Sequence, residues 1–118
     1  MPITKAYEMP KLKLNGTAAA DFTASRFLAG VRDTNGDIAL AGAGVAITGI
    51  IQDGVDVGQT LGVIALGVSF CVFGATVAAG EQVEVDAAGK FIPLAAGIAV
   101  GICEVGGAAD AIGCVLLK

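Results

Sequence analysis

The sequence predicts an all-β domain, a small barrel or sandwich, on three observations. Its apolar bulk is Val, Ile, Leu and Ala, punctuated by 18 glycines, with few aromatic residues and no Trp or His. That composition suits pleated strands and tight turns better than packed helices. Nine short apolar stretches follow one another at close spacing, each bounded by turn-forming residues, which is the pattern of barrels and sandwiches. Finally, "DTNGDIALAGAGVAI", residues 33–47, returns 53 residues later as "DAAGKFIPLAAGIAV", residues 86–100. At 118 residues the chain holds one core of ordinary size.

Taken in order, residues 1–20 contain Pro2 and Pro10 and little periodicity. They read as an extended N-terminal arm closed by "NGTAAAD", ahead of a body at 21–118. From Phe22 onward the expected strands are Ser25–Arg32, Asp37–Leu40, Val45–Ile51, Leu61–Leu66, Val68–Phe73, Gln82–Asp86, Phe91–Leu94, Ile98–Glu104 and Ile112–Leu117. Strand alternation places Val68, Phe70 and Val72 on one side and Ser69 and Cys71 on the other. Asn35-Gly36 supplies the positive φ of a tight hairpin, and Gly80 and Gly89 do the same in "AAGE" and "DAAGK".

The repeat reads as one supersecondary unit used twice. Asp33 matches Asp86, Gly36 matches Gly89, Ile38 matches Phe91, and Ala43–Ile47 matches Ala96–Val100. Each copy is a turn opened by Asp and closed by Gly, a short strand, an Ala-Gly corner and a second strand, ending near Gly49-Ile50 or Gly101-Ile102. Duplicated β units predict a pseudo-symmetric barrel, with Asp33, Asn35, Gly36, Asp86 and Gly89 as its structural turn residues. In the last copy Ile98, Val100 and Ile102 alternate with Ala99, Gly101 and Cys103, where a half-exposed strand would alternate with charge. Such a face suits close approach by another surface, so an oligomer or a subunit of something larger is expected.

Seven basic against eleven acidic residues give a net charge of −4. Phosphate backbones need concentrated Lys and Arg, so nucleic acid is excluded as an expected partner. Lys5, Lys11 and Lys13 sit near the N-terminus beside Glu8 alone, whereas Asp33 to Glu84 holds no basic residue. The result is a cationic arm on an acidic body. Cys71, Cys103 and Cys114 lack metal or redox spacing and lie in apolar runs, as reduced packing residues do. The start "MPITKAYEMPKLKL" has no apolar h-region, so no signal peptide is expected, and synthesis and use in a reducing cytoplasm are. Val57–Gly80 is uncharged and long enough to span a bilayer. Five glycines interrupt it and its flanks are Asp56 and Glu81 where Lys or Arg would stand, so no membrane span is expected.

Catalytic chemistry finds little purchase. Without His it would rest on carboxylates, Lys, Cys or a metal, and the acids do not gather. Glu84 and Asp86 share a strand face and are oxygen ligands of the kind Ca²⁺ takes, but alternating acids on a strand ordinarily form its solvated face. "DTNGD" lacks the remaining ligands of an EF-hand loop and reads as a turn. No Cys or Ser has an evident base, and "GAG" at 42–44 lacks the spacing of a dinucleotide site. The expectation is a non-enzyme without metal or cofactor.

The order of "DTNGDIALAG", "GIIQDGVDVGQ", "GVSFCVFGATVAAGEQVEVDAAGKFIP" and "AVGICEVGGAADAIGCVLL" resembles the capsid cement, or head decoration, proteins of tailed bacteriophages, over about four fifths of the chain. The resemblance implies a small β-barrel or β-tulip domain on the outer surface of an expanded head, made in the host bacterial cytoplasm. It implies the major capsid protein as partner and a homotrimer at three-fold and quasi-three-fold positions, clamping neighbouring subunits against packaged DNA. In that role the arm adds a strand to a capsid sheet edge. Ile3, Tyr7, Leu12 and Leu14 would be its apolar anchors, and Lys5, Lys11 and Lys13 would pair with acidic capsid patches. The alternatives are another virion component, such as a tail or fibre subunit, or a small-ligand β-barrel.

Overall fold

The structure, a computed structural model, describes residues 7–118. Among them the chain is all-β: β1 (Met9–Thr17), β2 (Ala29–Arg32), β3 (Ile38–Leu40), β4 (Gly49–Ile51), β5 (Thr60–Val72), β6 (Gln82–Val85), β7 (Phe91–Pro93), β8 (Gly101–Val105) and β9 (Ile112–Leu117). All belong to one curled antiparallel sheet in the order β3-β2-β4-β5-β9-β8-β6-β7, with β1 alongside β5. No helix among these residues is long and apolar enough to cross a membrane.

Three strands begin later than the sequence suggests, β2 at Ala29, β4 at Gly49 and β8 at Gly101, and two further elements differ in kind, each for a physical reason. Leu61–Leu66 and Val68–Phe73 are one strand, because Gly67 at φ +98° bends β5 without ending it. A Cβ at Gly67 would lie 2.4 Å from the Met9 carbonyl oxygen, so β1 passes too close for any side chain there. The second is β1 itself, expected as part of an arm separate from the body. It pairs along β5, with Leu14 opposite Val63 and Gly16 opposite Leu61. Its main chain is hydrogen-bonded by the body's own sheet, and Leu14 packs on a core of Ala18, Phe22, Ile38, Ile51, Leu61 and Val63.

With β1 in place, the duplication is complete. Unit one runs β1, β2, β3, β4 and the front of β5; unit two runs the back of β5, then β6, β7, β8 and β9. The register repeats residue by residue. Gly30 opposes Leu40 as Val83 opposes Pro93, Ile50 opposes Ile64 as Ile102 opposes Leu116, and Gly16 opposes Leu61 as Cys71 opposes Gly113. Ala18 bridges Ile38 as Phe73 bridges Phe91. The turns are equally alike. Asp33 Oδ1 accepts the N–H groups of Asn35 and Asp37, both at 2.9 Å; Asp86 Oδ1 accepts those of Ala88 and Lys90 at 2.9 and 3.0 Å. Gly36 and Gly89 complete them at φ +85° and +76°.

Even the backbone outliers obey the repeat. Phe27 and Asp110 are non-glycine residues at positive φ, a conformation that disfavours a Cβ. Phe27 N–H donates to Ile51 O as Gly80 N–H donates to Cys103 O; Asp110 N–H donates to Phe73 O as Gly58 N–H donates to Ala18 O. Each outlier therefore occupies a place that the other unit fills with glycine. Phe27 is retained there by an edge-to-face contact with Phe70, 5.4 Å between centroids. Asp110 is held by Lys90 Nζ at 2.6 Å.

The units do not share burial equally. The core of unit two, with Phe73, Val77, Phe91, Cys103 and Val115, merges with Ala29, Ala41, Ile50 and Ile64 of unit one into one large cluster. The core of unit one stays separate and smaller.

Candidate interaction surface

Most of the acidic side chains accept main-chain N–H groups. Asp33 and Asp86 close the twin turns, Asp53 Oδ2 accepts Gly62 N–H at 2.7 Å, Glu81 Oε1 accepts Ala78 N–H at 2.7 Å, and Glu8 Oε2 accepts Phe70 N–H at 3.1 Å. Glu84 departs most from expectation. It is 7% exposed because the 94–97 corner folds over it, and its Oε2 accepts the N–H groups of Ala95 and, at 3.2 Å, Gly97. The reading of Glu84 as part of a solvated strand face is thus corrected. Its ligands are amides thirteen or fewer residues onward, a link that strand alternation cannot reveal. Among the described residues no three metal-ligating side chains gather.

Those amides, Ala95 first and then Gly97, hold the Glu84 carboxyl below its ordinary value of 4.5 and outweigh its desolvation. The folded value is therefore lower than the unfolded one. The stability this group contributes is fully present above the unfolded value and is lost as pH falls through the folded value. Glu84→Gln is expected to lower stability at neutral pH and to flatten its acid limb below 4.5. Urea melts of both proteins across that range check it, and parallel acid limbs would refute the assignment.

The cysteines are buried. Desolvation pushes the Cys103 thiol up to about 11 and raises those of Cys71 and Cys114, so all three are protonated at neutral pH and pack as small apolar groups.

Exposed apolar residues are spread over several strands and loops, and two of them, Met9 and Leu66, flank a groove where β1, β5 and β9 meet. An open groove of about 560 Å³ runs between Met9, Pro10, Leu66, Val68, Leu116 and Leu117, with Lys11 at its rim. Met9 is 65% and Leu66 41% exposed. A smaller hollow of about 220 Å³ adjoins it at Leu117, where the equivalent pairs Ala46 and Ala99, Ile47 and Val100 come together. Beside that hollow the two Ala-Gly corners touch: a Cβ on Gly97 would lie 2.5 Å from Gly44 Cα. This close approach is why the repeat keeps glycine at both places.

The arm residues fall into three groups. Ile3 and Lys5 lie outside the described residues. Tyr7 is exposed, its hydroxyl donating to Glu104 Oε1 at 3.3 Å. Lys11, Leu12, Lys13 and Leu14 are in β1, with Leu14 half-buried and the others exposed. The sequence reading missed the groove because it forms from residues far apart in the chain. The exposed Met9 and Leu66 become neighbours only through the β1–β5 register.

The fold and this surface define a duplicated antiparallel β domain with an apolar groove on its outside. No protein-family model matches the sequence, and no curated protein matches it. Among solved structures, the chain is similar to the head fiber gp8.5 N base in bacteriophage phi29, with a TM-score of 0.71 at 15% identity, covering 91% of this chain and 93% of that one. The likeness is one of fold.

Proposed function

We propose that this chain is a non-enzymatic structural protein of a phage virion, which binds the outer surface of an expanded head and cements neighbouring major capsid subunits. The observation that carries the reading is the end-to-end fold likeness to a phage head-fibre base. The groove flanked by the exposed Met9 and Leu66 is consistent with a surface that meets another chain. The outer edge of β1, which pairs with β5 on its other side, is the segment that adds to a capsid sheet edge. Three such segments on a homotrimer raise affinity by roughly a hundredfold or more over one, if geometry lets them engage together. Binding the assembled shell in preference to free subunits then stabilises it by mass action.

The experiment adds the purified chain to expanded and unexpanded heads of its phage and measures occupancy and resistance to rupture. Saturable binding to expanded heads that raises the rupture threshold is the expected result, and charge reversal at the exposed Lys11 and Lys13 of β1 weakens it. No binding to either form would overturn the proposal. A second reading, the base of a head fibre, draws on the same neighbour. Particle imaging separates the two: a cement protein covers the shell lattice between capsomers, whereas a fibre base carries a projecting shaft.

A further inference from the structure

The two units present equivalent rows of residues across the sheet, and only one row is covered. In unit one Ala41 N–H donates to Ala29 O, Ala29 opposes Ile50, and Ile50 opposes Ile64. Opposed residues of antiparallel strands point to the same side, and all four are at most 1% exposed within the large core. The counterparts in unit two are Leu94, Gln82, Ile102 and Leu116, linked by the same hydrogen bond and the same two pairings. Leu94 is 38% exposed, Gln82 is exposed, and Ile102 and Leu116 are half-buried. From Leu116 the row continues through Val68 to Met9, into the apolar groove.

The twin turns show the complementary asymmetry. The second turn is docked at Ala29 of the first row, where Gly89 O accepts Ala29 N–H at 2.8 Å, and beside that row a Cβ on Gly89 would lie 2.9 Å from Leu40 Cδ1. The first turn is free. Nothing lies within 4 Å of a Cβ on Gly36, and Thr34, Asn35 and Gly36 are exposed. Arg32 also ties this turn to the β1 side of the molecule, donating to Gly36 O at 2.8 Å and Asn15 O at 3.0 Å. Each chain thus carries one filled turn-and-row pair, and a vacant row with an unused turn.

We propose that the Asp33–Asp37 turn of one copy docks on the Leu94–Gln82–Ile102–Leu116 row of a second copy, repeating between chains the contact the chain makes within itself. The occupant follows from the repeat: in unit one the Ala29 N–H of the row is met by Gly89 O of a turn of this construction, and Gln82 is the counterpart of Ala29. Gly36 O, the counterpart of Gly89 O, retains a lone pair beyond its bond to Arg32 and would meet the Gln82 N–H, the counterpart of Ala29 N–H. Leu94, Ile102 and Leu116 supply the apolar contact. Each copy gives one turn and one row, so the interface is head-to-tail and builds a ring if the rotation closes, or a filament if it does not. The inference rests on the internal repeat and not on the virion reading.

Two variants test it by sedimentation velocity. Thr34→Glu blocks the turn without touching the Asp33 hydrogen bonds, and Leu116→Glu blocks the row; thermal melts confirm that both fold. The wild-type chain is expected to associate beyond a dimer at high concentration, and each variant to weaken this at least about tenfold. An equimolar mixture of the two is expected to form a heterodimer and nothing larger, since one turn and one row remain intact. If Leu116→Glu does not fold, the pair Thr34→Cys with Leu94→Cys carries the test, the native cysteines being buried. Oxidation should then produce a ladder of linked chains. A wild-type chain monomeric at millimolar concentration, a mixture without heterodimer, or a disulfide formed within single chains would overturn the proposal.

Discussion

Gly101→Ala is expected to destabilise the fold by about 3 kcal/mol or more, the upper end of what an added methyl group does in a packed interior. At this chain length that lowers the melting temperature by roughly 12 °C. The new Cβ would stand 2.4 Å from the carbonyl oxygen of Leu116, and β9 is fixed on its other side by β5. The obstacle is main chain in a paired strand, so no side-chain rotation relieves it; β8 has to part from β9. Gly49→Ala meets the same obstacle in unit one, 2.5 Å from Ile64 O, and is expected to behave alike. Gly36→Ala is the informative control. Its Cβ meets open space but takes φ +85°, so its loss is conformational only, about 1–2 kcal/mol. Differential scanning calorimetry orders the three. If Gly101→Ala melts within two or three degrees of wild type, the close strand approach is wrong.

The matched behaviour expected of Gly49 and Gly101 follows from what the duplication constrains. It keeps the backbone, meaning turn geometry, strand register and the points where strands approach too closely for a Cβ. It lets side chains diverge, and function enters through the divergence. Row one became Ala, Ala, Ile and Ile and sank into the core; row two became Leu, Gln, Ile and Leu and stayed at the surface. The turn docked at Ala29 is closed by Lys90, and its counterpart carries Asp37, a change that moves neither Asp Oδ1 from its two amides.

How much of this was legible in the sequence varied with the range of the interaction. The twin turns were readable because an Asp carboxylate reaches amides two and four residues ahead, inside one short motif. The strands around them followed from alternation. β1 was not readable as part of the sheet. Pro10, Lys11 and Lys13 are the residues that guard an edge strand from aggregation, and equally those of a loose terminus; only Leu14, paired with Val63 and packed on a core that reaches from Ala18 to that residue, distinguishes them. Gly67 looked like a break between strands and is a bend within one. The groove and the uncovered row were beyond sequence reading, since each is assembled from strands whose neighbours are set by the sheet order.

The second large effect is expected at Phe73, and it tests the side-chain divergence as Gly101 tests the shared backbone. Phe73 is fully buried in the large core at the place where unit one has Ala18, so the two units differ there by an entire ring. That ring lies over Gly113 and Gly107: a Cβ on Gly113 would come within 2.5 Å of it, and one on Gly107 within 3.5 Å. The two glycines supply space that unit one, with Leu61 opposite Gly16, does not need. Phe73→Ala empties that space while leaving the backbone held, because Phe73 N–H donates to Ala111 O and its carbonyl accepts from Asp110. Gly113 lies in β9, which is paired with β5 on one side and β8 on the other and cannot move inward, so the full cavity penalty is expected, about 3–5 kcal/mol. Against a total stability of order 5–15 kcal/mol, that removes a large part of the margin. Urea titration should show an earlier midpoint at an unchanged slope, the signature of lost packing without a change in the surface exposed on unfolding. A loss under about 1 kcal/mol would mean that the ring fills no space of its own. The twin glycines would then be left without a reason in this packing.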